Sequence, residues 1–219
     1  MIEYMTAKRE ALLTSKNPRL AHLIDLYFNP LIGGYADPYT ILVDLLEEFG
    51  QIYLLPAIRE LIPQTLPAVV DFGAGSGWLG RALADNEQAF FVDRRNLISD
   101  ESKETFTQLD LEYITESMKD SIENLTEYTD LSIVCELLHC INEEAQTQLL
   151  GSIKSEELLV IEQLPEGRHG VLAELQISLA SGQPLLSRDE LFNKLADTGW
   201  TIVAAQSVYH YIILKCTRD

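Results

Sequence analysis

Residues 68 to 84 carry the pattern most suggestive of chemistry. An apolar run, Ala68-Val69-Val70, ends in Asp71-Phe72, and glycines then recur at Gly73, Gly75 and Gly77 before a helix-like stretch. A tight turn between strand and helix lies at the edge of an open α/β sheet where ligands bind. Glycines there permit unusual backbone angles and close approach of a ligand to the main chain. Free amides at the start of the following helix favour a carboxylate or phosphate. Gly75-Ser76-Gly77-Trp78-Leu79-Gly80 also satisfies the G-x-G-x-x-G pattern of dinucleotide sites, so a nicotinamide cofactor fits these residues as well. Asp93, which ends the run Phe90-Phe91-Val92, stands where a carboxylate grips ribose hydroxyls. It supports nucleotide binding without choosing the nucleotide.

The surrounding elements must place these residues on one edge. Short apolar runs at Ala68–Phe72, Ala89–Val92, Leu131–Cys135 and Leu158–Ile161 alternate with helical stretches, which predicts a mostly parallel sheet with helices on both faces. Asn142 is placed to cap a helix from Glu143 to Leu150 that stops at Gly151. Ser187-Arg188-Asp189-Glu190 is a capping-box pattern, and Gly199 follows that helix. The last two strand-like runs, Trp200–Ala205 and Tyr209–Leu214, are too closely joined for anything but an antiparallel pair. Residues 1–63 read as helical: Asp37-Pro38 starts a helix interrupted at Gly50, and a further helix runs from Ile52 to Leu61, bent at Pro56. Gly33-Gly34-Tyr35 reads as a loop. The division expected is a helical cap over residues 1–63 and an α/β domain over 64–219.

The chain has 219 residues, 47% apolar and 23% charged, enough for one domain with a buried core plus an extension. No apolar run approaches the roughly 20 residues that cross a bilayer, and the first residues lack the basic and apolar regions of a signal peptide. Three cysteines, Cys135, Cys140 and Cys216, stand in no metal-ligand spacing and fit reduced thiols, so a cytoplasmic location and no metal are expected. A net charge of -18 argues against nucleic acid and anionic membranes as partners, since both need clustered Lys and Arg.

Counted from Asp71, an acid followed by three glycines at alternate positions resembles the cofactor motif of class I S-adenosylmethionine-dependent methyltransferases. Leu137-Leu138-His139-Cys140-Ile141-Asn142-Glu143-Glu144 resembles the segment of small-molecule O-methyltransferases that holds the catalytic histidine. Leu158 to Gly167 resembles the same family's fifth strand, which ends in an acid and a proline, and Leu175 to Trp200 its helix, small-residue turn, capped helix and Gly-aromatic step. The resemblance spans roughly Val69 to the C-terminus. Cys140-Ile141 stands where the family has Asp-Trp, and residues 1–63 are far smaller than its N-terminal dimerisation domain.

The resemblance implies a Rossmann-like, seven-stranded, mostly parallel sheet with a C-terminal antiparallel hairpin. It implies S-adenosylmethionine as cofactor and S-adenosylhomocysteine as product, held by Asp71, Gly73, Gly75, Gly77, Asp93 and Asp110, with Asp110 on the adenine amino group. His139 would be the general base that deprotonates a phenol or enol, and Glu162 the acid that orients it; imidazole has a pKa suited to that task. The acceptor would be a small molecule, methylated on oxygen, and the protein a monomer or homodimer. Tyr35, Tyr39 or Tyr53 would face the acceptor, while His22, His169 and His210 are expected to be structural or solvated. A protein of this fold repurposed for another reaction or for binding, and a nicotinamide oxidoreductase, are the alternatives.

Overall fold

The computed structural model describes residues 46–84, 88–95, 97, 106–165 and 185–218. The expectations for Tyr35, Tyr39, Asp37-Pro38, His22, His169 and the turn near Gly182 lie outside the described residues.

Residues 46–49 are helical and run on through a wide π turn, Gly50–Leu54, into α1, Leu55–Leu61. Then come β1 (Val69–Phe72), α2 (Trp78–Leu83), β2 (Ala89–Asp93), β3 (Phe106–Gln108) and α3 (Glu116–Thr126). The rest are β4 (Leu131–Cys135), a 3-10 turn Leu138–Cys140, α4 (Glu143–Ser152), β5 (Glu157–Gln163), α5 (Arg188–Asp197), β6 (Thr201–Val208) and β7 (Tyr211–Thr217).

Gly50 does not interrupt the first helix as the sequence suggested. A Cβ there would come within 2.3 Å of the Trp78 ring, so the glycine is there to let that indole lie against the helix. Pro56 sits at the start of α1. Proline lacks an N–H and its ring crowds the carbonyl four residues earlier; the wide turn just before it accommodates both.

The seven strands form one sheet in the order β3-β2-β1-β4-β5-β7-β6. All neighbours from β3 to β5 are parallel, and β7 is antiparallel to both β5 and β6. This departs from a purely parallel dinucleotide-binding sheet. Strand side chains alternate between faces, and the core divides accordingly. Val69, Phe91, Ile133, Leu159, Ile161 and Ile213 pack with Leu54, Ile58, Leu79 and Leu83 of the first helices. Val70, Val92, Val134, Val160, Ile212 and Leu214 pack with Ile122, Leu149, Leu191 and Leu195 on the other side.

Helix ends follow the local signals. The Asn142 side chain accepts the Ala145 N–H at 2.9 Å, and Ser187 and Glu190 form a reciprocal capping box. α4 continues through Gly151 to Ser152 rather than stopping there. Between β1 and β4 the strand order reverses direction, and in such sheets the crevice outside the carboxyl ends at that point is the ligand site.

Candidate active site

Three features meet at that crevice. The first is the glycine loop. Gly73, Gly75 and Gly77 have φ of 70°, 54° and 75°, the left-handed region that residues with a Cβ enter at a cost. A Cβ on Gly77 would lie 2.8 Å from the Phe91 ring, and one on Gly73 would lie 3.0 Å from Leu137. Asp71 is buried, and its Oδ2 accepts the Gly80 N–H at 3.0 Å, tying the strand end to the first turn of α2. Burial pushes the Asp71 carboxyl up to about 7, with nearby Asp93 adding to the rise; the Gly80 N–H and Arg81 oppose it.

The second feature is Asp93 at the end of β2. It is buried, its Oδ2 accepts the Gly75 N–H at 2.9 Å and its Oδ1 the Arg95 N–H at 3.0 Å. The acid expected on ribose therefore also braces the glycine loop. Asp110 lies just past β3, is exposed, and accepts the Glu112 N–H at 3.2 Å, a local turn that holds its carboxylate at the sheet edge.

The third feature is the turn after β4. His139 and Glu162 are buried, and His139 Nδ1 donates to Glu162 Oε2 at 2.8 Å. The other carboxylate oxygen, Oε1, accepts the Leu138 N–H at 2.7 Å, so one acid holds both the ring and the backbone of the turn. Gln146 of α4 supports the same turn from below, donating to the carbonyls of Leu138 at 2.7 Å and Ile141 at 3.2 Å. This arrangement commits Nδ1 to Glu162 and leaves Nε2 as the ring atom able to take a proton. Burial opposes a charged imidazolium, but the Glu162 carboxylate and the hydrogen bonds to Cys140 and Glu162 outweigh it. They hold His139 well above its ordinary value.

The eight residues expected to hold the cofactor or act as base and its partner thus lie along the carboxyl ends of β1, β2, β3, β4 and β5. Leu137, packed under Gly73, joins the loop to the histidine turn. Two further residues belong here. Ser76 Oγ, in the glycine loop, is buried with no hydrogen-bond partner. Glu136 is a non-glycine residue at φ 53° directly after β4, and its side chain hydrogen-bonds Tyr211 and Gln163. A polar residue ending an apolar strand was the only signal for Glu136, and Ser76 gave none apart from its place in the loop. Tyr53 stacks edge-on with Tyr209 at 5.3 Å and lies 4.9 Å from Phe49, so it belongs to an aromatic cluster against the β6–β7 turn. His210 is buried 4.4 Å from the Tyr211 ring. Among the described residues no group of His, Cys, Asp or Glu could hold a metal ion, and no helix is long and apolar enough to cross a membrane.

No protein-family model matches the sequence, and comparison with curated proteins returns no match. Solved structures do match the fold. The pyocyanin biosynthetic protein PhzM superposes with a TM-score of 0.62 at 14% identity over 88% of this chain, which spans 62% of that protein's length. Human N-acetylserotonin methyltransferase, solved with S-adenosylmethionine, gives 0.61 at 15% identity, covering 97% of this chain and 70% of that one. Magnesium protoporphyrin IX methyltransferase of Synechocystis, solved with S-adenosylhomocysteine, gives 0.54 at 17% identity over 88% of this chain and 93% of that one. The chain has the class I methyltransferase fold found in small-molecule O-methyltransferases.

Proposed function

We propose that the protein is an S-adenosylmethionine-dependent methyltransferase that methylates a small-molecule acceptor on oxygen, with His139 as general base. The observation that carries this reading is the His139–Glu162 pair, 2.8 Å apart and buried at the same sheet edge as the glycine loop. The loop fits the cofactor: three left-handed glycines keep side chains out of the turn, and the buried Ser76 hydroxyl has an unused hydrogen-bonding capacity. Asp93 and Asp110 would hold ribose and adenine. When bound, the cofactor supplies an electrophilic methyl group on a positively charged sulfur. The protein's part is alignment, removal of one proton and exclusion of water. His139 Nε2 would take the proton from the acceptor hydroxyl, leaving the electron pair on oxygen for attack, while Glu162 steadies the imidazolium so formed.

Since Glu162 holds His139 above its ordinary value, the base is free only on the alkaline side. Turnover is therefore expected to rise with pH through a midpoint above 6.5. A second reading, the same fold repurposed for binding or another reaction, is favoured by this same tight hold on the histidine proton. Calorimetric titration with S-adenosylmethionine, S-adenosylhomocysteine and NAD tests the cofactor. Binding of NAD without response to S-adenosylhomocysteine would overturn the proposal. His139→Ala is expected to lower turnover by about 10²–10⁴-fold while leaving S-adenosylhomocysteine affinity nearly unchanged. Full activity in that variant removes His139 as the base.

A further inference from the structure

Among the described residues, two that are not glycine have a left-handed backbone, Glu136 at φ 53° and Tyr209 at φ 56°. Residues with a Cβ enter that region at a cost, and such costs gather where a side chain has a task. The sheet brings both to one edge. Glu136 follows β4, and its side chain hydrogen-bonds Gln163 at the end of β5 and Tyr211 at the start of β7, which are opposite each other in the sheet. Tyr209 is the first of the two residues that turn β6 into β7, between the paired Val208 and Tyr211. A two-residue turn with its positive φ at that place ordinarily has Gly there. The carbonyl of His210, the second turn residue, accepts the Leu164 N–H at 2.8 Å and pins the turn to the end of β5. Tyr209 is 61% exposed, so burial of its ring does not offset the strain. The ring stands edge-on to Tyr53 at 5.3 Å and lies 6.0 Å from Phe49, which is itself 5.6 Å from Tyr211. An unbroken run of rings therefore leads from the hairpin tip to the half-buried Glu136 carboxyl.

We infer that Glu136 and Tyr209 are specificity-determining residues that select an aromatic molecule carrying an ammonium group. The ligand's ring rests on Tyr209 and Tyr53, and its ammonium donates to the Glu136 carboxylate. That this ligand is a methyl acceptor rests on the methyltransferase reading; its binding does not. An ammonium set among aromatic rings and a carboxylate gains from both, through the negative ring faces and a charge-assisted hydrogen bond. Burial raises the Glu136 carboxyl to about 7 and the Tyr211 hydrogen bond opposes the rise; a cation alongside favours the ionised form further. A ligand carboxylate would meet Glu136 as a like charge, so the same residue rejects as well as attracts. Gln163 and Tyr211 lie on the sheet face covered by the first helices, whereas Glu162, one residue before Gln163, lies on the other face with His139. The ammonium is thus a handle held apart from the hydroxyl that His139 would deprotonate.

Three phenols of similar shape and different charge test this: tyramine with an ammonium, 4-ethylphenol with no charge and 3-(4-hydroxyphenyl)propionate with a carboxylate. Their affinities for the full chain are measured by NMR titration at pH 8, above the folded value of Glu136, with and without S-adenosylhomocysteine. Tyramine is expected to bind about tenfold more tightly than 4-ethylphenol, and the propionate more weakly than either. Glu136→Gln keeps the shape and is expected to bring tyramine down to the affinity of 4-ethylphenol. A general attraction of cations to an acidic protein would survive that substitution. Tyr209→Gly suits the backbone and removes the ring, and is expected to weaken all three phenols alike, by roughly threefold to tenfold. No saturable binding of tyramine, no advantage over 4-ethylphenol, or an advantage that persists in Glu136→Gln overturns the inference; unaltered affinities in Tyr209→Gly overturn the part given to Tyr209. The two readings fail separately. A tyramine preference in a protein that does not respond to S-adenosylhomocysteine sinks only the methyltransferase reading, and S-adenosylhomocysteine binding with equal affinities for the phenols sinks only this one.

Discussion

Asp71 and His139 are buried titratable groups whose folded environments both favour the protonated form, and this links them to stability. Asp71 rises from an ordinary 3.8 to about 7 on folding. Between those values the folded state binds more protons than the unfolded state, so stability falls as pH rises through the window and levels off above it. His139 is raised above 6.5; its contribution is fully present below 6.5 and is lost as pH rises through the folded value. Asp71→Asn keeps an oxygen to accept the Gly80 N–H but cannot ionise. Urea denaturation from pH 4 to 8 is expected to show a flatter decline for this variant than for the parent between pH 4 and 7. Identical slopes would mean that Asp71 is ionised in the folded protein throughout. The carboxyl that secures the glycine loop thus does so at some expense to stability near neutral pH.

The element that answers most directly to its sequence is the turn from β1 into α2. Gly77→Ala would place a methyl 2.8 Å from the Phe91 ring on a backbone at φ 75°, and a destabilisation of about 1–3 kcal/mol is expected in chemical denaturation. A smaller loss would show that the loop relaxes easily around the added methyl. Other elements were equally legible because their determinants are local. The Asn142 cap, the Ser187–Glu190 box and the closely joined β6 and β7 each depend on residues a few positions apart. The strand runs were legible as well, since burial on both faces leaves them largely apolar. The need for glycine at position 50 was not, because the ring it makes room for, Trp78, is distant in sequence. Glu136 was missed likewise: nothing in Val134-Cys135-Glu136-Leu137 announces a left-handed glutamate, and its partners Gln163 and Tyr211 lie on other strands. His139 and the orienting role of Glu162 were expectations carried by resemblance, and the fold adds the 2.8 Å distance between them.

Taken whole, the molecule carries a net charge of -18, with 34 acidic against 16 basic side chains. Self-repulsion of this size opposes the compact state and is screened by salt, with a Debye length of about 10 Å at 0.1 M. The thermal midpoint is therefore expected to rise between low and moderate sodium chloride, as read by circular dichroism. A midpoint that falls would mean that attractive pairs such as Lys215–Glu157, 2.7 Å apart, outweigh the general repulsion. The end of the described chain is anchored by other means: Arg218 lies 4.5 Å from the centre of the Trp200 ring and donates to the carbonyls of Leu150 and Thr198 at 3.0 and 2.6 Å.

The place of β7 has a consequence in time. It follows every other strand in the described chain, yet it sits between β5 and β6 and supplies Tyr211 to Glu136. During synthesis β5 emerges well before it and waits with an open, apolar edge that nothing already made can fill in the native order. Such an edge invites pairing with other chains. The nascent protein is thus most exposed to aggregation between the emergence of β5 and that of β7, and the histidine turn gains this bracing only when β7 slides home.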